Sequence, residues 1–405
     1  MTDYHAIPLG ARRAVLAYLG LTGLVVALMM LGLLMRLSQG DLLPLPPALF
    51  YQVMTAHGIG MVGIAAIGGA AVMWYFLNRY LDLSLSIFIA NLVLFLLGVV
   101  LILGGIFIGG FAAAWTFLYP LPAQSQGAWS DGAAAVYLAG VLIVGVGFLL
   151  LFLDVGRALL ARYGSLGRAL GWPQLFGREA GDAPPPAVVA GAMVTAINIP
   201  ALVVGAAILA MTLINLYFPG FALDPLLAKN LIFFFGHVFI NSTIYMAVIA
   251  VYEILPRYTS RPWKAGRVFL AAFTASLFMV LSVYPHHLLM DFAMPEWMLW
   301  MGQIVSYLSG LPVLLVTAFG TLSIVNRSGI RWDLSSGLLF LAVFGWAAGV
   351  LPAIIDATIV VNRVMHNTMW VPGHFHFYLL LGMLAMVFGF MCYLRRGEAE
   401  AEDRG

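Results

Sequence analysis

Cysteine and charge are the two things this chain almost lacks. Cys392 is its sole cysteine, which excludes an internal disulfide, a four-cysteine iron–sulfur site and a covalent CxxCH haem attachment. Charged residues make up 9% of the sequence, against about 25% in ordinary soluble domains, so a soluble enzyme core is excluded. A net charge of +2 supplies no basic surface and no argument for a nucleic-acid partner. A fixed-period repeat is missing too. The opening "MTDYHAIPLGARRAVLAYLG" leads straight into a full-length apolar run, so no cleavable signal peptide is expected.

The chain is instead 63% hydrophobic. Apolar runs at about 14–36, 48–77, 83–113, 132–154, 185–218, 226–256, 266–290, 297–325, 334–361 and 367–394 are each long enough to cross a lipid bilayer, which takes about 20 residues. The expected fold is an all-α polytopic membrane protein of about ten transmembrane helices. Lys and Arg set its orientation. Sixteen of the nineteen fall on one side of the alternating spans, and only Arg36, Lys229 and Arg363 on the other. Both termini are therefore expected in the cytoplasm, with residues 1–13 as the N-terminus, 14–395 as a single transmembrane domain and 396–405 as a charged, disordered tail. The membrane is expected to be the bacterial or archaeal cytoplasmic membrane. The outer loop "AAWTFLYPLPAQSQGAWSDG" is aromatic and proline-rich, suited to an ordered cap.

An imidazole at bilayer depth is costly and usually functional. Of the eight histidines, His5 reads as a solvated N-terminal residue. The topology puts His57 in span two, His237 in span six, His286 and His287 at the outer end of span seven, and His374 and His376 in the first turns of span ten. His366 lies just before that span. Any one alone reads equally well as a packing residue. Four helices carrying imidazoles to one depth in the outer half read as ligands. In "HNTMWVPGHFHF" the last two histidines are two residues apart, so at about 100° per residue they face opposite sides of the helix. Each would then serve a different metal centre. Neutral imidazole suits iron, copper and zinc, and haem iron commonly takes an axial histidine.

"WVPGHFHF", "GHVFIN", "VYEILPRY", "YPHHLLMD" and "AHGIGM" resemble subunit I of the haem–copper oxidase superfamily, in phrasing nearest its B-family. "AAWTFLYP" resembles an outer-loop motif of the same family. The resemblance implies a haem–copper oxidase subunit I-like bundle. It implies His57 and His376 as axial ligands of a low-spin haem and His374 as the proximal ligand of a high-spin haem, both haems of b type. It implies His237, His286 and His287 as ligands of a non-haem metal facing the second iron, where small diatomic gases react. His366 matches a histidine near the haem propionates, or is an ordinary interface histidine.

Two departures matter. Oxygen-reducing relatives carry a cross-linked tyrosine four residues after the span-six histidine; here Asn241 stands there. An amide neither donates a proton at neutral pH nor forms a stable radical. Nitric oxide reductases of the superfamily lack that tyrosine too, but the best-known ones place a glutamate there. Asn241 therefore leaves copper or iron open at the non-haem site. Tyr245, one turn on, is a stand-in or a packing residue. Second, the family normally has at least twelve helices, and the loop joining the last two carries arginines for the haem propionates. Arg363 and Arg36 are the outer arginines available here, unless a partner supplies them.

The reading is a catalytic subunit reducing 2 NO to N2O, with an oxygen reductase as the alternative and a non-redox membrane protein with a degenerate metal site as a remote third. Asn241 is expected to hydrogen-bond to the gas or to a metal-bound water. With no internal donor motif, electrons are expected from a separate membrane-anchored cupredoxin or cytochrome c subunit. Glu253, Asp356 and the hydroxyls of Thr243, Tyr245, Ser306, Tyr307, Ser309 and Thr317 are the sparse material for a proton route, unless they bond their own backbone carbonyls.

Overall fold

The computed structural model describes residues 8–402; His5 lies outside them. Ten helices among the described residues are long and apolar enough to cross a membrane: α1 Leu9–Gln39, α2 Pro47–Leu77, α3 Leu85–Ile108, α4 Asp131–Tyr163, α5 Pro186–Tyr217, α6 Pro225–Thr259, α7 Arg267–Leu288, α8 Glu296–Val325, α9 Leu334–Asp356 and α10 Trp370–Arg396. The described residues contain no strand. Helices suit lipid because each satisfies its own backbone hydrogen bonds.

Helix starts follow local chemistry. Ser130, Asp224 and Asp333 cap α4, α6 and α9, each accepting from a backbone N–H three residues on. Proline occupies the first turn of α2, α5 and α6, where its missing N–H costs nothing. Several helices outrun the apolar stretches that announce them. α1 runs from Leu9 to Gln39, and α4 continues through Arg157 and Arg162 to Tyr163. An apolar run measures lipid contact, whereas helix continues until a terminator such as Gly164, in the left-handed region at φ 76°. The last helical segment reaches Glu402, so the tail expected to be disordered is helical as far as it is described; residues 403–405 lie outside. α9 stops at Asp356 rather than near 361. There Asn362 Nδ2 donates to the Asp356 carbonyl at 2.8 Å, and a separate short helix, Ile359–Met365, comes next. The outer loop is ordered, with Trp129 Nε1 bonded to the Pro122 carbonyl at 3.2 Å.

α2 and α6 form the centre, with 83% and 94% of their apolar windows enclosed against 50% or less for the other spans. Small residues let them approach: a Cβ on Gly69 of α2 would sit 3.0 Å from Met246 Cε of α6. Hydrogen bonds reinforce the packing, Asn198 of α5 to Ser242 of α6 at 2.8 Å and Ser335 of α9 to the Gly389 carbonyl of α10 at 2.7 Å. α10 departs from α geometry over Phe377–Leu384, a π-helical stretch directly after its histidines. That stretch lies on Gly345 and Gly349 of α9. A Cβ at Gly349 would come within 2.5 Å of the Tyr378 backbone nitrogen. The Gly349→Val variant is therefore expected to lose about 1–3 kcal/mol, the usual cost of overpacking. Lower thermal stability in detergent, measured by circular dichroism, would show this; an unchanged melting temperature would mean that the contact is not tight.

Candidate metal centre

The histidines converge at the end of the bundle where α2, α6 and α10 begin and α7 ends. α7 closes in a 3-10 turn, Tyr284–Leu288, which swings His286 and His287 toward His237 on α6. One ligand atom from each of the three lies within 4.8 Å of the others. His237 Nδ1 is 2.9 Å from His287 Nε2. His286 Nδ1 bonds Ser306 Oγ on α8 at 2.5 Å, which leaves its Nε2 for the site. The His287 ring lies flat against Phe233, 5.1 Å between centres and 11° between planes. Three imidazoles converging in this way form a ligand set for a transition metal.

The span-ten histidines separate as the helical geometry requires. The rings of His376 and His57 have centres 5.7 Å apart and planes within 18°. A metal bonded to both at about 2.0–2.1 Å needs the facing imidazole nitrogens about 4 Å apart, which asks for ring centres slightly further apart than these. His376 Nδ1 donates to the Pro372 carbonyl at 2.5 Å, fixing the tautomer that frees Nε2. Gly32 of α1 makes room for His57: a Cβ there would be 2.8 Å from its Cε1. His374 faces the same cavity as the triad, and its Nδ1 is buried without a partner among the described residues.

All six histidines line one cavity, with about 590 Å³ open to the centres of water molecules. Its rim holds further unpaired polar atoms: both Asp356 carboxyl oxygens and Asn362 Oδ1. Orphaned polar groups around an apolar cavity fit flat groups with polar edges, and so the residues present fit two haems.

Asn241, Tyr245, His366 and Arg36 also line this cavity. Arg363 does not: it is exposed, and the arginine at the cavity mouth is Arg36, which donates to Gln39 Oε1 and to Met369 Sδ. The Asn241 amide lies 3.3 Å from His237 Nε2, so it addresses a ligand. Tyr245 packs near Phe273 and Trp346. Of the hydroxyls, Thr243 bonds the Ile240 carbonyl, and Thr317 bonds both the Val313 carbonyl and Tyr252 OH, while Tyr307 bonds Thr358 and Glu253 accepts from Tyr80.

Sequence reasoning missed several neighbours. Trp115 projects from the outer loop onto Gly58 and Gly236. Tyr378 donates to the Asn241 carbonyl at 3.2 Å. Lys229, on sequence only a marker of topology, pairs with Asp291 at 2.5 Å, and Tyr284 OH bonds Asn230 at 3.1 Å. Together they pin the segment bearing His286 and His287 to α6. Both partners are present in the quoted motifs or beside them, but nothing local signals their pairing.

The fold and site define a class: a polytopic helical membrane protein built around clustered histidines that suit haem and metal. The comparisons carry this to a family. A sequence model of the family described as "Cytochrome C and Quinol oxidase polypeptide I" matches residues 13–396, and the chain belongs to that family, subunit I of the haem–copper oxidases. It is an integral membrane protein of an oxidoreductase family that binds haems and a metal. "Cytochrome c oxidase subunit 1" of Synechocystis sp. is 25% identical over 84% of this chain and 61% of its own length. "Cytochrome c oxidase subunit 1" of Thermus thermophilus is 27% identical over 38% of this chain and 30% of its own length. "Quinol oxidase subunit 1" of Sulfolobus acidocaldarius is 27% identical over 46% and 36%. The chain thus spans between 30% and 61% of the length of these relatives. A solved structure titled as a heme-copper terminal oxidase dimer shares the fold, with a TM-score of 0.74 and 19% identity over 96% of this chain and 68% of that one.

His376→Ala is expected to abolish the six-coordinate low-spin haem spectrum, since both axial nitrogens are needed; a retained spectrum refutes the assignment. A second outcome concerns the Lys229–Asp291 pair. Burial alone would raise the Asp291 carboxyl, but Lys229 and the Ala293 N–H outweigh it and hold it below its ordinary range. The pair's stability is therefore present above about pH 3.9, the unfolded value, and is lost as pH falls through the lowered folded value. Asp291→Asn should melt below wild type at pH 7, the difference closing as acid titrates the wild-type carboxyl. A difference that does not change with pH would show that charge plays no part.

Proposed function

We propose that this chain is the catalytic subunit of a membrane nitric oxide reductase, turning 2 NO, two electrons and two protons into N2O and water. The observation that carries this is Asn241. It occupies the turn beside His237 where oxygen-reducing relatives need a phenol, and its amide has neither a proton to release nor a radical to hold. Reduction of NO takes two electrons, which two metal centres supply without help from a side chain.

In this reading His57 and His376 hold a low-spin haem, His374 a high-spin haem, and His237, His286 and His287 a non-haem metal. Two b haems and that metal bring the electron transfer and the gas ligation. The protein's share is orientation and exclusion. The Pro372 carbonyl and Ser306 Oγ hold His376 and His286 in their ligating tautomers. Phe233, Trp115 and Trp346 wall the cavity with apolar surface that admits a gas and keeps bulk water out. With no carboxylate in the triad, copper suits it better than iron. In the place foreseen for Arg363, Arg36 would meet the haem carboxylates, with His366 on the wall of the same cavity. The positive-inside distribution supports a cytoplasmic membrane with the metals in the outer half. Electrons enter from a separate cupredoxin or cytochrome c subunit, because Cys392 stands alone near the opposite end of α10.

Oxygen reduction is the second reading. Relatives named as cytochrome c and quinol oxidases favour it, as do two phenols, Tyr245 and Tyr378, on the cavity wall. Gas consumption under one common electron donor decides between them. The expected outcome is NO loss with N2O formed at half that rate and slower O2 uptake. Rapid reduction of O2 to water with little NO turnover would overturn the proposal.

A further inference from the structure

Asn241 stands one helical turn after His237, so the two side chains share a face of α6. The amide Nδ2 is 3.3 Å from His237 Nε2. The other ring nitrogen, Nδ1, points toward the triad, 2.9 Å from His287 Nε2. His237 is 9% exposed, so both its nitrogens have to find partners inside the protein.

A neutral imidazole carries one ring hydrogen. With the amide nitrogen donating, Nε2 is bare and the hydrogen sits on Nδ1, which donates to His287 Nε2. That tautomer closes both inward nitrogens to a metal. A metal in the triad needs Nδ1 bare, because that is the atom His237 turns toward its partners. The hydrogen then belongs on Nε2, and the group facing it must accept. A primary amide serves both cases. A half-turn about its terminal torsion exchanges Nδ2 for Oδ1, and that torsion is broadly two-fold.

We infer that Asn241 is a positioning residue that selects the metal-binding tautomer of His237. Its amide oxygen accepts the Nε2 hydrogen and leaves Nδ1 as the ligand atom. It acts through the imidazole, not on the gas, and it replaces a fixed restraint at this position with a reversible one. The inference rests on the reading that the triad holds a metal.

The test uses haem-loaded protein stripped of its non-haem metal and titrated with copper(I) and, separately, iron(II). Asn241→Leu removes the acceptor at similar size; Asn241→Asp keeps an acceptor and removes the donor. Asn241→Leu is expected to weaken binding of the preferred metal by about 10–100-fold, the usual effect of losing the partner of a ligating histidine, with both haem spectra unchanged. Asn241→Asp is expected to bind at least as tightly as wild type. Nitrogen-15 spectra of ring-labelled histidine in the reduced, CO-bound, copper(I)-loaded protein give a second readout. Wild type and Asn241→Asp should show one Nδ1-ligated imidazole, and Asn241→Leu should lose that signal. Wild-type affinity with the Nδ1 signal intact in Asn241→Leu overturns the inference. If wild type keeps both haems but takes up neither metal, the underlying reading fails, and the inference with it.

Discussion

A polar nitrogen at bilayer depth has to be enclosed, because lipid offers it no partner and each unsatisfied group costs several kcal/mol. Six imidazoles at one level therefore dictate where their helices stand. α2 and α6 carry His57 and His237 and are the most enclosed spans. α10 bears histidines on two faces and needs neighbours on both. The 3-10 turn that ends α7 folds inward for the same reason, and Lys229 with Asp291 anchors it to α6.

The same constraint explains why so much is legible in the sequence. Lipid forces apolar runs, and the ten runs correspond to ten spans. Arginine asymmetry sets their alternation, and alternation places the histidines. The two-residue spacing of His374 and His376 separates them on helical geometry alone, and the structure pairs the His376 ring with His57, although His374, His376 and the triad all line one cavity. Helix ends are less legible. Lipid contact does not report where hydrogen bonding stops, so α4 outruns its apolar stretch and α9 falls short.

Contacts between segments distant in the chain are not legible. Arg363 and Arg36 both sit on the sparsely charged side, and only the packing of α1 against the cavity mouth separates them. The Asn241 amide was expected to address a gas or a metal-bound water, and its distance to His237 Nε2 depends on a rotamer that composition and spacing do not specify. Lys229 and Asp291 lie 62 residues apart, with no periodicity linking them. Membership of the oxidase subunit I family rests on a match over residues 13–396. The choice between NO and O2 falls on a few side chains that such a match does not weigh.

The π-helical stretch of α10 has a geometric consequence. A π turn holds more residues than an α turn, so it resets the phase between the helix before it and the helix after it. Here the histidine-bearing turn lies on one side and the segment that continues along α9 on the other. The residues before the stretch set the aim of the histidines, and the residues after it set the face that packs on α9.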